Sequence, residues 1–320
     1  MNAATVPVLV TGAAGLVGRA LVETLARDPR WRVIASDLRA PADWLAQVPF
    51  IAADLLTADW PALLREHGVE RVVHLAAVVA TQAGRAAERV HAIEVGGTQT
   101  LFAACHDAGV RQFIVASSGA AYGYAADLPV PVAEDFPLRP HPDFPYAAHK
   151  AEIEHWLAAQ PAPPATLVLR LCTVLAPGRS TPVTALFERA PMLGLRGHDS
   201  PFCFVHRDDV VGAIVAGLER EASGTYNVSG DGWLTLDQIA VELGARIRRL
   251  PPALLRAGLR VAHALRLSGF SAGQVDFLAY RPVLDNARLK TQLGYVPKYS
   301  SQAAFTAWRK ARDIQPGAPR

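Results

Sequence analysis

Short apolar runs alternate with longer amphipathic stretches over the first half of the chain. Strand-like runs lie at Val6–Val10, Arg32–Ser36, Phe50–Ala52, Val72–Leu75, Phe113–Ala116 and Thr166–Arg170. Helix-length stretches between them include Leu16–Arg27, Arg85–Ala108 and Tyr146–Ala159. Strands that alternate with helices form βαβ units, whose right-handed crossovers place helices on both faces of a parallel sheet. The pattern therefore predicts an α/β fold with a doubly wound parallel sheet.

The alternation of strands and helices ends near residue 170. Proline and glycine cluster at 176–178 and 191–197, and helical patterns dominate Leu236–Tyr280. We therefore predict a sheet domain over residues 1–170, to which segments at about 203–230 return. A smaller mixed lobe is expected over residues 171–320, closing over the carboxyl edge of the sheet.

A glycine-rich turn follows the first predicted strand and opens the first predicted helix. Gly12 permits a tight turn, Gly15 lets the backbone approach a pyrophosphate, and Gly18 allows the helix to pack closely on the strand. The helix start, at Leu16 and Val17, offers unpaired N–H groups and the positive end of the helix dipole to phosphates. The turn therefore predicts a Rossmann-type dinucleotide site.

Two aspartates follow the next two predicted strands. Asp37 ends the second strand, where a carboxylate can accept both ribose hydroxyls of the adenosine half and would repel a 2′-phosphate. NAD is thus favoured over NADP, although Arg39 leaves NADP open. Asp54, after the third strand, is placed to reach the adenine amine or to lie in an exposed loop.

A tyrosine and a lysine four residues apart begin the helix predicted at 146–159. Tyr146 and Lys150 share one helical face, and Lys150 is one of only four lysines in a chain with 28 arginines. A lysine ammonium stabilises a phenolate and lowers the pKa of the tyrosine, which makes it a usable general acid or base. Ser118, after the fifth strand, is placed to hydrogen-bond the same substrate oxygen. This set suits hydride transfer between a secondary alcohol or ketone and nicotinamide.

These motifs together resemble an extended short-chain dehydrogenase/reductase of the NAD-dependent epimerase/dehydratase group. The matching pieces are Thr11–Gly18, Asp37, Asp54-Leu55, His74–Ala77, Ser117-Ser118, Tyr122-Gly123, Tyr146 with Lys150, Pro177-Gly178, Phe204–Val210 and Tyr226–Val228. The resemblance implies that Tyr146 is the catalytic base, Lys150 its partner and a ribose ligand, and Ser118 the group that orients the alcohol. It also implies that Ala76, Ala77, Val78 and Leu171–Val174, Thr173 among them, line the cofactor. His74 and His206 are structural in this interpretation.

The chain departs from the family pattern at several positions. Glu94 stands where the family usually has asparagine, and it either supports the nearby loop differently or alters a proton relay. Thr173 and Phe202 replace an asparagine and an arginine that nucleotide-sugar enzymes use to hold their substrate, and the nearest other arginine is Arg281. Both changes disfavour a nucleotide sugar, and the missing guanidinium alone would remove a charge-assisted contact worth roughly 1.5–3 kcal/mol.

Substrate contacts are expected from residues around the end of the sheet. The candidates are Thr81, Ser118, Tyr122, Arg179, Phe202 and Arg281. Residues 243–275 contain six arginines and no acid. This basic segment is a solvated face, a cover over an apolar substrate, an anion-binding rim or a membrane-docking surface. The lobe resembles the hydroxysteroid-dehydrogenase branch more than a sugar epimerase.

Three functional hypotheses follow from these residues. The first is an NAD-dependent oxidoreductase acting on a secondary alcohol or ketone of an apolar small molecule. The alternatives are a nucleotide-sugar 4-epimerase or dehydratase, and a non-catalytic dinucleotide-binding sensor. Relatives in the family often dimerise through their long helices, so the resemblance also implies a homodimer.

Composition and charge narrow the class of protein. The 320 residues are 51% hydrophobic and 19% charged with a net charge of +3, and no nucleic-acid-binding signature accompanies that charge. Three scattered cysteines form neither a disulfide framework nor a zinc site, so no metal is expected and a reducing compartment is favoured. No basic leader precedes the first strand, and no apolar run approaches the roughly 18 residues needed to span a bilayer. We therefore predict a cytoplasmic protein with a small-molecule substrate and no integral membrane segment.

Overall fold

The computed structural model describes residues 5–78, 87–160, 163–188, 191–265 and 271–312. Its strands are β1 (Val6–Thr11), β2 (Trp31–Asp37), β3 (Phe50–Ala52), β4 (Arg71–His74), β5 (Gln112–Ser118), β6 (Ala165–Leu171), β7 (Thr173–Leu175), β8 (Met192–Leu195), β9 (Phe204–His206), β10 (Gly224–Val228) and β11 (Ile247–Leu250). Its α-helices are α1 (Leu16–Leu25), α2 (Trp60–Glu66), α3 (Ala87–His91), α4 (Gly97–Asp107), α5 (Pro145–Ala158), α6 (Arg207–Glu219), α7 (Leu236–Leu243), α8 (Pro252–Ala264), α9 (Gln274–Ala279), α10 (Ala287–Thr291) and α11 (Ser301–Lys310). A π-helix spans Ala92–Gly96, and short 3₁₀ helices span Gly119–Tyr122 and Thr184–Leu186.

The central sheet confirms the predicted doubly wound α/β fold. Seven parallel strands lie in the order β10-β6-β5-β4-β1-β2-β3, and all six predicted strands are among them with ends within two residues of the prediction. The seventh, β10, was not predicted as a strand because its run Gly-Thr-Tyr-Asn-Val mixes polar and apolar residues. Asn227 is fully buried there, and its side-chain amide donates a hydrogen bond to the carbonyl of Val132.

The strand order reverses direction at β1, which has β2 on one side and β4 on the other. Thr11, the last residue of β1, pairs with Ser36 of β2 and with His74 of β4. In doubly wound sheets the ligand binds in the crevice beyond this switch point, at the carboxyl ends of the strands. The glycine turn lies directly after Thr11, so the topology places it in that crevice.

Both faces of the sheet are buried, which explains why its strands are continuous apolar runs. Val8 and Val10 of β1 belong to one core cluster and Leu9 to the other. Side chains of successive strand residues point to opposite faces, so an unbroken apolar run supplies both cores.

The helix predicted at Arg85–Ala108 is interrupted. The π-helix at Ala92–Gly96 separates α3 from α4, and Arg85 lies outside the described residues. A π-helix adds a residue to one turn and is frequent at functional sites. Here the inserted turn contains Glu94, whose side chain is almost fully buried.

The remaining strands form two small sheets, β11-β8 and β7-β9, so the predicted helical run at 236–280 is broken by β11. A separate core cluster under this region includes Phe202, Phe204, Phe305 and Trp308. Helix α8 has no buried residue, and Leu254 and Val261 of this helix are exposed, as is Leu265 directly after it. No helix among the described residues is long and apolar enough to cross a membrane.

Candidate active site

The glycine turn is built so that no side chain fits at two of its positions. Gly12 has φ +71°, and a Cβ there would lie 2.5 Å from the backbone nitrogen of Ala76. A Cβ on Gly18 would lie 2.1 Å from the carbonyl oxygen of Gly12. Gly15 is exposed and caps α1 without a side-chain hydrogen bond, and the first turn of α1 contains no acid. The turn therefore leaves an uncapped helix N-terminus open, which fits the pyrophosphate of a dinucleotide.

Asp37 links the second strand to this turn. Its Oδ2 accepts a hydrogen bond from the backbone N–H of Ala14 at 3.0 Å, and its Oδ1 accepts one from Leu38 at 2.8 Å. Each carboxylate oxygen keeps a lone pair for a ribose hydroxyl. Asp54 lies after β3, where its Oδ1 accepts from the N–H of Leu56 at 2.9 Å and holds its own loop. Contact of Asp54 with adenine stays a prediction.

We expect Asp37→Asn to reduce the preference for NADH over NADPH at least 10-fold, because it removes the charge that repels a 2′-phosphate while it keeps an acceptor for Ala14. Fluorescence titration with both reduced cofactors measures the ratio. Asp43→Asn removes a nearby surface charge and is expected to leave the ratio unchanged. An unaltered ratio in Asp37→Asn would remove this residue from cofactor selection.

A buried histidine supports the crevice from below. His74 Nδ1 lies 2.7 Å from the hydroxyl of Thr11, and its Nε2 lies 3.0 Å from that of Thr98. Burial, followed by the positive charge of Lys150, lowers the pKa of His74 to about 3. A neutral ring with both nitrogens occupied is consistent with a structural role.

This burial makes stability depend on pH. The unfolded chain binds a proton on His74 below its ordinary pKa of about 6.5, whereas the folded protein does not until near pH 3. The free energy of unfolding therefore decreases as the pH is lowered from about 6.5 towards 3. His74 is expected to account for roughly 2 kcal/mol of the stability lost between pH 7.5 and pH 5. Urea unfolding of His74→Gln at both pH values should show a smaller loss by that amount. Equal losses in the variant and the wild type would contradict the assignment.

Tyr146, Lys150 and Glu94 come together at the start of α5. The ammonium of Lys150 lies 5.5 Å from the centroid of the Tyr146 ring and 3.1 Å from Oε2 of Glu94. Oε1 of Glu94 accepts a hydrogen bond from the backbone N–H of Val78. Burial disfavours the Lys150 ammonium, but Glu94 and Tyr146 outweigh burial, so the pKa of Lys150 is raised. Lys150 is thus held charged beside a half-buried tyrosine.

The serines after β5 have different partners. Ser118 accepts a hydrogen bond from the N–H of Ala120 at 3.2 Å and begins the 3₁₀ helix at 119–122. Ser117 is buried and donates to Glu154, which also pairs with Arg170 at 2.7 Å. The position of Ser118 at the carboxyl end of β5, close to α5, keeps it a candidate for orienting a substrate oxygen.

Tyr122 lies in the interior rather than at a substrate surface. Its hydroxyl donates to Asn227 at 2.9 Å and accepts from Arg170 at 2.6 Å. Burial raises the pKa of Tyr122 to about 12, although Arg170 opposes this. Its hydrogen bonds stabilise the join between β5, β6 and β10. Tyr124, which the sequence did not single out, packs on Phe144 just before α5 and on Phe277, the ring on which Arg281 stacks. Burial raises the pKa of Tyr124 to about 12.

Arg281 is the unusual cation of this site. Its guanidinium stacks on two aromatic rings, 4.6 Å from the centroid of Phe202 and 4.3 Å from that of Phe277. Its Nη2 donates to Thr173 at 3.2 Å, whereas its Nη1 is buried and has no hydrogen-bond partner. Among the described residues no carboxylate pairs with it, and burial lowers its pKa.

Among the described residues, the other predicted substrate contacts, Phe202 and Arg179, do not come together in one surface. Phe202 is fully buried beneath Arg281 within the core of the lobe, so it offers no free surface. Arg179 has an exposed side chain, and its carbonyl accepts from the indole of Trp308. Thr81 lies outside the described residues. Across the described ranges, no group of three or more side chains could hold a metal ion.

The model of the NAD dependent epimerase/dehydratase family matches residues 8–229. The chain is 33% identical to a UDP-glucose 4-epimerase of Mycolicibacterium smegmatis, covering 69% of this chain and 76% of that protein. It is 29% identical to a 3-diazoavenalumate denitrifying reductase of Streptomyces, covering 92% and 97%. A solved structure of the Thermus thermophilus UDP-glucose 4-epimerase with NAD matches with a TM-score of 0.73 and 25% identity, covering 97% and 100%.

A Rossmann-type sheet, an open glycine turn and a Tyr-Lys pair at its edge define a dinucleotide-dependent enzyme. The chain belongs to the NAD-dependent epimerase/dehydratase family, and its cofactor is NAD. The residues present fit that cofactor, because the glycine turn leaves the N-terminus of α1 without a side-chain cap and Asp37 lies against the turn. The narrower resemblance to the hydroxysteroid-dehydrogenase branch stays a prediction.

Proposed function

We propose that the protein is an epimerase or dehydratase acting on a nucleotide-linked sugar. Bound NAD would supply the hydride acceptor and donor. Tyr146 takes the proton of a secondary hydroxyl as the carbinol carbon loses hydride, and Lys150 stabilises the phenolate that accepts it. Ser118 orients the substrate oxygen. Gly12, Gly15 and Gly18 hold the pyrophosphate, and Asp37 holds the adenosine ribose.

The observation that carries this proposal is the unpaired guanidinium of Arg281. Arg281 as a whole is partly exposed, but its Nη1 is buried, and a buried donor without a partner is costly unless an acceptor completes its site. The family pattern has an arginine where Phe202 stands, and Arg281 stacks on that very ring. The charge missing from position 202 is thus supplied to the same place from another segment. This contact weakens the sequence-based argument against a diphosphate.

Two further observations agree with an anionic substrate. The hydroxyl of Thr173 accepts a hydrogen bond from Arg281, so both positions that depart from the family pattern, Thr173 and Phe202, contact the same guanidinium. Phe144, two residues before Tyr146, stacks on Phe277, whose ring also contacts the guanidinium of Arg281, so the anion site lies close to the start of α5 and the reacting hydroxyl. A sugar joined to a diphosphate spans such a pair of sites.

We expect Arg281→Gln to weaken binding of UDP-glucose about 10- to 100-fold, because it removes a charge-assisted contact worth roughly 1.5–3 kcal/mol. Affinity for NAD should not change. Calorimetric titration with UDP-glucose, and separately with NAD, measures both. Arg139→Gln, which loses an exposed arginine paired with Asp127, is the control. Equal affinity of Arg281→Gln and wild type for UDP-glucose would exclude the anion site.

The reaction is tested by incubating the purified protein with UDP- and dTDP-linked sugars without added NAD. An epimerase or dehydratase returns the hydride to the same molecule, so nuclear magnetic resonance should show a C4 epimer or loss of water without accumulation of NADH. If no nucleotide sugar changes while NADH forms from an alcohol that lacks a nucleotide, the proposal fails.

A second candidate is a net oxidoreductase acting on a smaller, apolar substrate. The Streptomyces reductase, which matches nearly the full length of this chain, favours it. The aromatic rings of Tyr124, Phe144 and Phe277, which pack on one another near Arg281, would suit such a substrate. Oxidation of NADH in equal amount to reduced product distinguishes this reaction from an epimerase.

A further inference from the structure

We infer that Glu94 sets the pH range of the reaction. Its carboxylate compensates the positive charge of the Lys150 ammonium, so that Lys150 activates Tyr146 less strongly than an unpaired lysine would. This inference rests on the proposed role of Tyr146 as acid and base. Glu94 acts through Lys150 and is therefore a positioning residue.

The buried pair of Glu94 and Lys150 is the structural basis. Both side chains are almost fully buried, with relative exposures of 1% and 6%, and their charged atoms lie 3.1 Å apart. The π-helix places Glu94 there, and its other oxygen accepts from the N–H of Val78, in the segment predicted to line the cofactor. Its rotation is thereby restricted, and its charge stays beside the ammonium.

A paired cation stabilises a nearby anion less than a lone cation does. The distances of 5.5 Å from Lys150 to the Tyr146 ring centroid and 3.1 Å from Lys150 to Glu94 keep all three groups close together. At separations of this order, with an effective dielectric constant of about 20–40, one charge shifts a titration by roughly one pH unit. The carboxylate of Glu94 should therefore oppose formation of the Tyr146 phenolate by that amount.

The other charged groups facing this pair do not duplicate Glu94. His74 of β4 is neutral, because burial lowers its pKa to about 3. Glu154 of α5 also raises the pKa of Lys150, but less than Glu94 does, and it pairs with Arg170 of β6 at 2.7 Å. His149 of α5 is also buried, and burial lowers its pKa.

The test is a titration of the Tyr146 phenolate in the NAD-bound protein, followed by its ultraviolet absorbance. Subtracting the titration of Tyr146→Phe isolates the signal of this tyrosine. Glu94→Gln should lower the midpoint by roughly one pH unit, because the amide keeps its shape and loses its charge. Glu94→Asp, which retains the charge, should titrate close to the wild type. Glu152→Gln removes an exposed carboxylate from α5, the helix that carries Tyr146 and Lys150, and should titrate as the wild type does.

An unchanged or raised midpoint in Glu94→Gln would overturn the inference, since a raised one would mean that Lys150 loses its own proton without Glu94. If Glu94→Gln does not fold, Glu94→Asn, which carries the residue usual in the family, takes its place with the same expected direction. The titration needs no substrate. A failure to convert nucleotide sugars would therefore overturn the proposed reaction without moving this midpoint.

Discussion

Replacing Tyr146 by phenylalanine is expected to reduce the turnover number about 1,000-fold. Tyr146 is the half-buried tyrosine whose ring lies next to the Lys150 ammonium, and the substitution removes only its hydroxyl. Positioned acid–base groups contribute roughly 10²- to 10⁴-fold to rate, so most of the activity should be lost. The turnover number is measured with the nucleotide sugar that the wild type converts fastest.

The same variant should bind NAD normally and unfold at the same urea concentration as the wild type. Its hydroxyl has no hydrogen bond to the described part of the chain, so folding does not depend on it. Tyr124→Phe is a useful companion, because it removes a neighbouring hydroxyl that is not placed on the helical face of Lys150. Turnover by Tyr146→Phe at the wild-type rate would remove this residue from the mechanism.

Replacing Gly18 by alanine is expected to weaken NAD binding at least 100-fold and to destabilise the fold. The new Cβ would lie 2.1 Å from the carbonyl oxygen of Gly12 and 2.9 Å from Cα of Ala13. Both contacts are backbone atoms of the turn, so either α1 or the turn must move. Overpacking of this kind costs about 1–3 kcal/mol. NAD affinity is measured by fluorescence titration, and stability by urea unfolding.

Gly258→Ala is the matched control for Gly18→Ala. A Cβ on Gly258 meets nothing within 4 Å, and its position within α8 favours alanine over glycine by up to about 1 kcal/mol. NAD affinity should be unchanged and stability equal or slightly higher. If Gly18→Ala also binds NAD as tightly as the wild type, close packing of α1 on the turn is not what forms the cofactor site.

The cofactor end of the site was predictable because its determinants are local. Gly12, Gly15 and Gly18 act through backbone space within one turn, and Asp37 follows directly at the end of the next strand. Tyr146 and Lys150 are four residues apart on one helix, so their proximity follows from helical geometry alone. The apolar strands were predictable for a similar reason, because burial on both faces leaves continuous apolar runs.

The substrate end was not predictable, because it is formed by residues far apart in the chain. Phe202 and Arg281 are separated by 79 positions, and only the packing of the lobe puts the guanidinium on the ring. The sequence shows only that position 202 lacks the arginine of the family pattern. In the structure, the guanidinium of Arg281, from another segment, lies on the ring of Phe202. Tyr122 and Tyr124 are both buried, and only their contacts separate them. Tyr122 is hydrogen-bonded to Asn227 and Arg170, whereas Tyr124 packs on Phe144 and Phe277.

The sequence by itself determined the α/β class, the positions of six sheet strands along the chain, the dinucleotide turn and the Tyr146–Lys150 pair. Each depends on periodicity or on spacing within a few residues, which a linear pattern records directly. Only the tertiary structure decided that a π-helix separates α3 from α4, that Glu94 pairs with Lys150, and that Nη1 of Arg281 is buried with no carboxylate partner among the described residues. These are contacts between distant segments in a desolvated interior, where charge pairing depends on three-dimensional distance rather than on position along the chain.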